Sequence, residues 1–278
     1  MTRNAPDLWR HALTDAGPDA HKYQHGSVLV WSGPPLATGA SRLAALAALR
    51  AGAGVVTLAG TQAALMVHAA HVTAVMLRQV DDAVTLAQVL TDDRYTAVVL
   101  GPAMGVGAVT RELVQVALQS NQACVLDADT LTSFAGEPTN LANFIAQNSA
   151  PVVVTPHEGE FHRLMGDVSG DKLDRVGKAA GALGATVVLK GKDTIIVSVD
   201  GRTVVNDSAP PWLATAGAGD VLAGIIGGLL AQGMAGFEAA CAGVWLHSRA
   251  AHIAGYGMIA DDLVLAVSNA SRELRGSK

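Results

Sequence analysis

The chain has 278 residues, 50% of them hydrophobic and 15% charged, with a mean hydropathy of +0.32, enough apolar material for a substantial buried core. A net charge of -5, 4% aromatic residues and no basic run exclude a nucleic-acid surface built from cations and stacked rings. The strongly apolar runs, such as 221–231, fall short of the roughly 20 residues that span a bilayer; the N-terminus lacks the apolar centre of a signal peptide, and Cys124 and Cys241 lie in apolar surroundings, so a soluble cytoplasmic protein with two buried free thiols is expected.

Residues 1–20, with Pro6, Gly17 and Pro18, have no clear period and are expected to form a lead-in arm or a terminal helix ahead of a single domain over 21–278. The first β-branched run, 27–31, reads as a strand, and a helix is predicted to begin near Ser41. The loop between them, 32–40, faces a ligand or is a plain strand-to-helix turn capped by Thr38. Ala51-Gly52-Ala53-Gly54 looks like a dinucleotide fingerprint but stands between a helix and a strand, the reverse of the required order, and reads as a helix C-cap. Further runs at 54–59, 96–100, 123–127, 152–155 and 186–190 are continuously apolar and alternate with alanine-rich helical segments. That rhythm predicts an α/β fold with a mainly parallel central sheet covered by helices on both faces. At 194–205 it changes to two short runs about Asp200-Gly201, which predicts a two-residue hairpin, antiparallel, at one edge. Helical patterns follow from 217, over 236–254 and over 261–274.

In open α/β sheets ligands sit beyond the carboxyl ends of the strands, and the loops at those ends are chemically unusual here. Gly101-Pro102-Ala103-Met104-Gly105-Val106-Gly107 allows close backbone approach to a bulky ligand. Asp127-Ala128-Asp129 offers two carboxylates able to hold Mg²⁺ through water or to position a hydroxyl; Asp129 also suits a helix cap. His157, Glu158 and Glu160 follow the run at 152–155. They are not a zinc motif, since Phe161 stands where a second histidine is needed and His162 is one residue late; Glu160 also reads as a first-turn helix residue. Lys190-Gly191-Lys192-Asp193-Thr194 suits nucleotide phosphate or ribose, or is a surface turn with Lys192 solvated. The small residues at 214–219 lead into a helix whose first N–H groups, at Gly217, Ala218 and Gly219, would form an anion hole, most naturally for a phosphate. Asp220 would repel that phosphate unless it takes a proton from an attacking hydroxyl, so it is the candidate base; the alternative is that it merely complements the helix dipole.

These residues resemble the ribokinase-like superfamily, whose anion hole ends in an aspartate as Gly217-Ala218-Gly219-Asp220 does. More closely, the chain resembles the ADP/ATP-dependent NAD(P)H-hydrate dehydratase family through His21-Lys22, Thr38-Gly39-Ala40, Ala51-Gly52-Ala53-Gly54, Gly101-Pro102, Leu126-Asp127-Ala128-Asp129, Thr155-Pro156-His157, Gly159-Glu160, Leu189-Lys190-Gly191, Asn206, Leu213-Ala214-Thr215, Gly219-Asp220-Val221-Leu222-Ala223-Gly224 and Ile259-Ala260-Asp261-Asp262-Leu263. The resemblance implies a three-layer sandwich and a metabolite-repair lyase. Such an enzyme phosphorylates the hydroxyl of hydrated NADH or NADPH (NADHX, NADPHX) at the expense of ADP or ATP, ADP being favoured, and eliminates phosphate to restore the ring. It further implies Ala40, Gly105, His157 and Asp220 at the hydrated dinucleotide, Lys190, Gly191, Lys192, Asp193, Thr194 and Gly219 at the adenosine nucleotide, Asp220 as base, and Mg²⁺ with no protein ligand assigned. A homo-oligomer, a tetramer being one form, is implied as well.

The chain departs from the family pattern at Ala216 and Ala218, where glycine and serine are common, at Glu158 for proline and at Ala103 for glycine, and its loop 33–37 is less glycine-rich. Relatives often carry an epimerase domain ahead of the dehydratase. A chain of 278 residues has no room for both, so a stand-alone enzyme or a separately produced dehydratase portion is expected. A vitamin-precursor or sugar kinase of the same superfamily and a non-catalytic nucleotide-binding protein are the alternatives.

Overall fold

A computed structural model of the chain describes residues 2–14 and 21–276; the rest of the expected arm, Met1 and 15–20, lies outside the described residues. The strands are β1 (Thr2–Arg3), β2 (Ser27–Trp31), β3 (Val55–Gly60), β4 (Met76–Gln79), β5 (Ala97–Leu100), β6 (Ala123–Leu126), β7 (Val152–Val154), β8 (Thr186–Leu189), β9 (Thr194–Val197) and β10 (Thr203–Asn206). They form one sheet in the order β1-β10-β9-β8-β7-β6-β5-β2-β3-β4. From β8 to β4 every neighbouring pair is parallel, while β8–β9 and β9–β10 are antiparallel.

The helices are α1 (Gly39–Arg50), α2 (Gln62–Ala69), α3 (Ala83–Val89), α4 (Ala108–Gln119), α5 (Asp129–Ser133), α6 (Pro138–Ile145), α7 (Glu158–Met165), α8 (Lys172–Leu183), α9 (Ala218–Ala231), α10 (Gly236–Ala254) and α11 (Ala260–Gly276). Two cores separate by strand alternation. Val28, Val30, Val99, Val125 and Val153 point to a layer containing α1, α9, α10 and α11, whereas Leu29, Val98, Leu100, Cys124 and Val154 point to the layer of α4 to α8. Strands covered on both faces need no alternation of polarity, which is why their sequences are continuously apolar. Both cysteines are buried free thiols, and among the described residues no helix is long and apolar enough to cross a membrane.

The structure changes one expectation and decides between alternatives at two other places. The hairpin turn is longer than two residues, because Thr203 pairs with Val197 and the turn closes through Gly201 N–H to the Ser198 carbonyl at 3.0 Å and Ser198 N–H to the Arg202 carbonyl at 3.0 Å. The described part of 1–20 contains β1 and two short 3₁₀ turns, Pro6–Leu8 and Arg10–Ala12, in place of a terminal helix. Thr38 precedes α1 without capping it through its side chain.

Helix α9 is set into the sandwich by its glycines. A Cβ on Gly224 would lie 2.1 Å from the Ala44 carbonyl oxygen of α1, and one on Gly227 2.4 Å from Val99 Cγ2 of β5. Gly224→Ala must therefore push α1 from α9 and is expected to lower stability by about 2–3 kcal/mol, read as a fall in thermal midpoint of several degrees. A variant unfolding with the unmodified protein would refute the close packing.

Candidate active site at the strand carboxyl ends

Three adjacent strand ends are extended by one further step of pairing. Asp127 N–H donates to the Leu100 carbonyl at 3.0 Å, Thr155 N–H to Leu126 at 3.0 Å and Lys190 N–H to Pro156 at 2.8 Å, and a parallel bridge joins His157 to Lys190. Gly101 makes room for this: at φ +129°, a Cβ there would meet the Asp127 carbonyl oxygen at 1.8 Å. The side chains of Asp127 and Lys190 consequently rise together from the sheet edge.

Lys190 Nζ lies 2.7 Å from Asp127 Oδ1 and 3.7 Å from Glu160 Oε2, with side-chain exposures of 19%, 2% and 8% in that order. Burial disfavours the ammonium, but the charges of Asp127 and Glu160, the hydrogen bond to Asp127 and the charge of Asp220 more than offset it and hold the Lys190 pKa above its ordinary value.

Asp220 stands in the first turn of α9, half-buried. Burial and then the charge of Asp127 push its pKa up to about 6, with Glu160 and Asp129 adding to the rise and Lys190 opposing it. Each of the other carboxylates has a donor. Asp127 has Lys190, Glu160 has the His157 N–H at 2.8 Å, and Asp129 has the Gly105 N–H at 2.8 Å; Asp220 makes no hydrogen bond or ion pair among the described residues. A carboxylate so placed is a base without a proton donor of its own.

The turn before Asp220 depends on Gly217, which sits at φ +85° with a hypothetical Cβ 2.7 Å from Leu43 Cδ1 and 2.9 Å from Ala260 Cβ. A Cβ on Gly219 would stand 3.4 Å from Lys190 Nζ and 3.9 Å from Asp127 Oδ2, so the candidate anion hole opens beside the Lys190–Asp127 pair. The Ala218 N–H makes a long bond of 3.3 Å to the Thr215 carbonyl, which an incoming anion would have to displace, and the Ala218 methyl is buried.

Asp129 does not cap α5. Its N-cap position is Ala128, at φ 48° and ψ -116°, and the Asp129 carboxylate instead clamps the glycine loop through Gly105 while Ser133 Oγ accepts the Gly107 N–H at 3.1 Å. Ala103, which replaces a glycine of the family pattern, adopts φ 55° in the same loop. His157 is the N-cap of α7: Nδ1 accepts the Gly159 and Glu160 N–H groups at 3.0 and 3.2 Å, so the ring hydrogen is on Nε2, 3.3 Å from Glu160 Oε1. Glu160 is thus both a first-turn residue and a partner of Lys190. Glu158 turns away to Arg175 at 3.1 Å.

The remaining candidates divide. In the turn 190–194, Lys190 faces Asp127 while Gly191, Lys192 and Asp193 are exposed; Lys172 Nζ, which sequence reasoning missed, braces the turn by donating to the Asp193 carbonyl at 2.6 Å. Ala40 opens α1 half-exposed, after a loop whose Leu36 is fully exposed and whose Ser32 Oγ lies 2.8 Å from the buried His68 Nε2. Burial, with the charges of Arg42 and His71, pushes His68 down to about 4. Nothing in the local sequence flags His68, because its partner, Ser32 just after β2, arrives through the tertiary fold. Among the described residues no three histidine, cysteine or acidic side chains are grouped to hold a metal ion.

Comparison with known proteins finds the NAD(P)H-hydrate dehydratase family model matching residues 28–267. An ADP-dependent (S)-NAD(P)H-hydrate dehydratase of Neisseria meningitidis is 38% identical over 276 residues, covering 95% of this chain and 90% of the relative. A bifunctional NAD(P)H-hydrate repair enzyme of Salinibacter ruber is 37% identical over 93% of this chain, which spans only 50% of that relative. The chain therefore spans about half the length of the bifunctional relatives it matches. In fold it superposes on a ribokinase-like superfamily protein from Enterococcus faecalis (TM-score 0.82, 25% identity, covering 98% of this chain and 96% of the other). It superposes equally on an ADP/ATP-dependent NAD(P)H-hydrate dehydratase from Bacillus subtilis crystallised with ATP and Mg²⁺ (TM-score 0.86, 23% identity, 98% of each chain).

Two outcomes follow from the charges. Removing the Lys190 ammonium leaves Asp127 buried without its cation, so Lys190→Met is expected to cost about 3 kcal/mol in denaturant unfolding, with Asp127→Asn in the same chain recovering part of it; additive losses would refute the pairing. Because the folded protein holds the Asp220 proton more tightly than the unfolded chain, the resulting stability is present below about pH 4 and lost as pH rises through about 6. Asp220→Asn is expected to match the unmodified protein near pH 4 and to exceed it at pH 8 by on the order of 2 kcal/mol; a constant difference across that range would show that Asp220 carries no raised pKa.

Proposed function

The chain belongs to the NAD(P)H-hydrate dehydratase family, and on that premise we propose that it restores hydrated NADH or NADPH to the reduced dinucleotide, with ADP as the favoured phosphoryl donor and ATP as the alternative. The observation that carries this reading is the half-buried Asp220 carboxylate, held near a pKa of about 6 and without a hydrogen-bond donor, beside the turn at Gly217 to Gly219 and the Lys190 ammonium.

Asp220 takes the proton of the substrate hydroxyl as that oxygen attacks the terminal phosphorus of the nucleotide. The bond from phosphorus to AMP, or to ADP when ATP is the donor, breaks. The ring nitrogen then pushes out phosphate with the carbon–oxygen electron pair, and loss of a neighbouring ring proton restores the double bond. Overall, hydrated NADH and ADP give NADH, AMP and phosphate. Phosphorylation matters because hydroxide is a poor leaving group and phosphate a good one. Gly217 and Gly219 supply backbone N–H groups to the developing charge, and Lys190 adds a fixed cation on the same side.

Ala40, Gly105 and His157 are the proposed contacts to the hydrated dinucleotide, and Lys190 to Thr194 with Gly219 those to the adenosine nucleotide. Gly105 is held by Asp129, and the exposed His157 ring is fixed in one tautomer by its capping bonds. The oxygen donors Asp127 and Glu160 suit a hard divalent cation; both are already engaged by Lys190, which fits Mg²⁺ carried mainly by phosphate oxygens and water. When bound, that ion neutralises phosphate charge. We further propose a cytoplasmic enzyme that assembles as a homo-oligomer, a tetramer being one form, with one catalytic domain over 21–278.

The test is recovery of the near-ultraviolet absorbance of the reduced nicotinamide from hydrated NADH, with Mg²⁺ and either ADP or ATP. Donor-dependent recovery is expected and should fall at least roughly 10²-fold in Asp220→Asn; a stable phosphoester product without recovery would favour a small-molecule kinase of the same superfamily.

A further inference from the structure

One buried polar ring lies directly beneath the anion-hole turn. His247 of α10 is 7% exposed, in a stretch of the helix whose Val244, Leu246, Ala250 and Ala251 are also buried, and its Nε2 is 2.8 Å from the Ala218 carbonyl oxygen. A carbonyl only accepts, so Nε2 carries the hydrogen and the tautomer is fixed. Burial pushes the ring well below its ordinary value, to about 4, against the opposing hydrogen bond to Ala218 and with the charge of Lys190 adding to the fall, which keeps it neutral at physiological pH. Burying a neutral imidazole among apolar side chains is costly unless its N–H is bonded, and the bond it makes is to Ala218.

The Ala218 carbonyl and the Gly219 N–H belong to one peptide group. That group is planar and trans, so the two bonds point in opposite directions, and a donor pinning the carbonyl also fixes where the N–H aims. The same donor draws electron density toward the carbonyl oxygen and makes the N–H a stronger donor. We propose that His247 is a positioning residue for phosphoryl transfer: through the Ala218 carbonyl it sets the direction and donor strength of the Gly219 N–H, and hence the affinity of the α9 turn for the transferred group. His247 touches neither ligand and acts through this single peptide. The inference rests on the phosphoryl-transfer reading given above.

Two arms test it. In the first, the unmodified protein, His247→Phe and His247→Gln are compared in the donor-dependent recovery assay. His247→Phe is expected to lower kcat about tenfold, less than the roughly 10²–10³ lost when an anion-hole donor is deleted outright, with both KM values within about twofold; His247→Gln, whose amide can donate to the same carbonyl, recovers part of the rate. In the second, which needs no turnover, ¹⁵N-labelled proteins are titrated with inorganic phosphate while the Gly219 amide resonance is followed. His247→Phe should displace that resonance in the free protein and weaken phosphate binding about tenfold. If the unmodified protein shows no donor-dependent turnover, the dehydratase reading falls and the second arm still decides on His247. Equal phosphate affinity with an unmoved Gly219 resonance overturns the proposal, as does a kcat loss that His247→Gln leaves unrelieved. Should His247→Phe not fold, His247→Asn, too short to reach Ala218, takes its place in both arms.

Discussion

The approach of α9 to the sheet and to α1 is the constraint on which the site depends. Gly224 and Gly228 face the Ala44 and Ala48 carbonyl oxygens of α1, and Gly227 faces Val99 of β5, each with no room for a methyl group. These contacts fix the helix axis over the middle strands, so its N-terminus, and Asp220 with it, comes to the carboxyl ends of β6 and β8, where Asp127 and Lys190 emerge. Apolar packing in the middle of the molecule thus sets a polar geometry at its edge. Close-packed interiors do not deform continuously, which is why a methyl group one or two turns from Asp220 is felt there.

At that edge four carboxylates share little space with one buried cation. Asp127 and Glu160 divide Lys190, Asp129 is occupied by Gly105, and Asp220 is left to the dipole of its helix. In the proposed reaction a donor nucleotide would bring negative charge to the N–H groups before Asp220 and to Lys190, while the like charge around Asp220 would make a proton from a hydroxyl easier to accept. On that proposal the arrangement separates two tasks that a single carboxylate beside a phosphate could not reconcile: holding an anion and acting as a base.

Much of this was legible in the sequence, for identifiable reasons. Strands β2, β3 and β5 to β8 are buried on both faces and announce themselves as continuous apolar runs; the turn into α9 declares itself by small residues before an aspartate. Strand β4, exposed at all of its positions, has no such run, and β1 gains its partner from a segment some two hundred residues away, so local pattern could reveal neither. Asp129 read as a cap because its sequence position suits one, but the strained Ala128 backbone swings its carboxylate onto the glycine loop instead. His247 sits among small and apolar residues of a helix that also carries Arg249 and His252, and its partner is on another helix, so nothing in the local pattern singles it out.

The pairing of β1 with β10 carries a consequence for the order in which the molecule assembles. Thr2 and Arg3 lie against Val204 and Val205, Trp9 packs edge-on to Trp245, and Asn4 donates to the Cys241 carbonyl. During synthesis residues 2–9 must wait for partners some two hundred positions later before they find their places. Contacts of such long sequence separation are slow to form and late to contribute, so the segment 2–9 fastens the finished structure and takes no part in starting it.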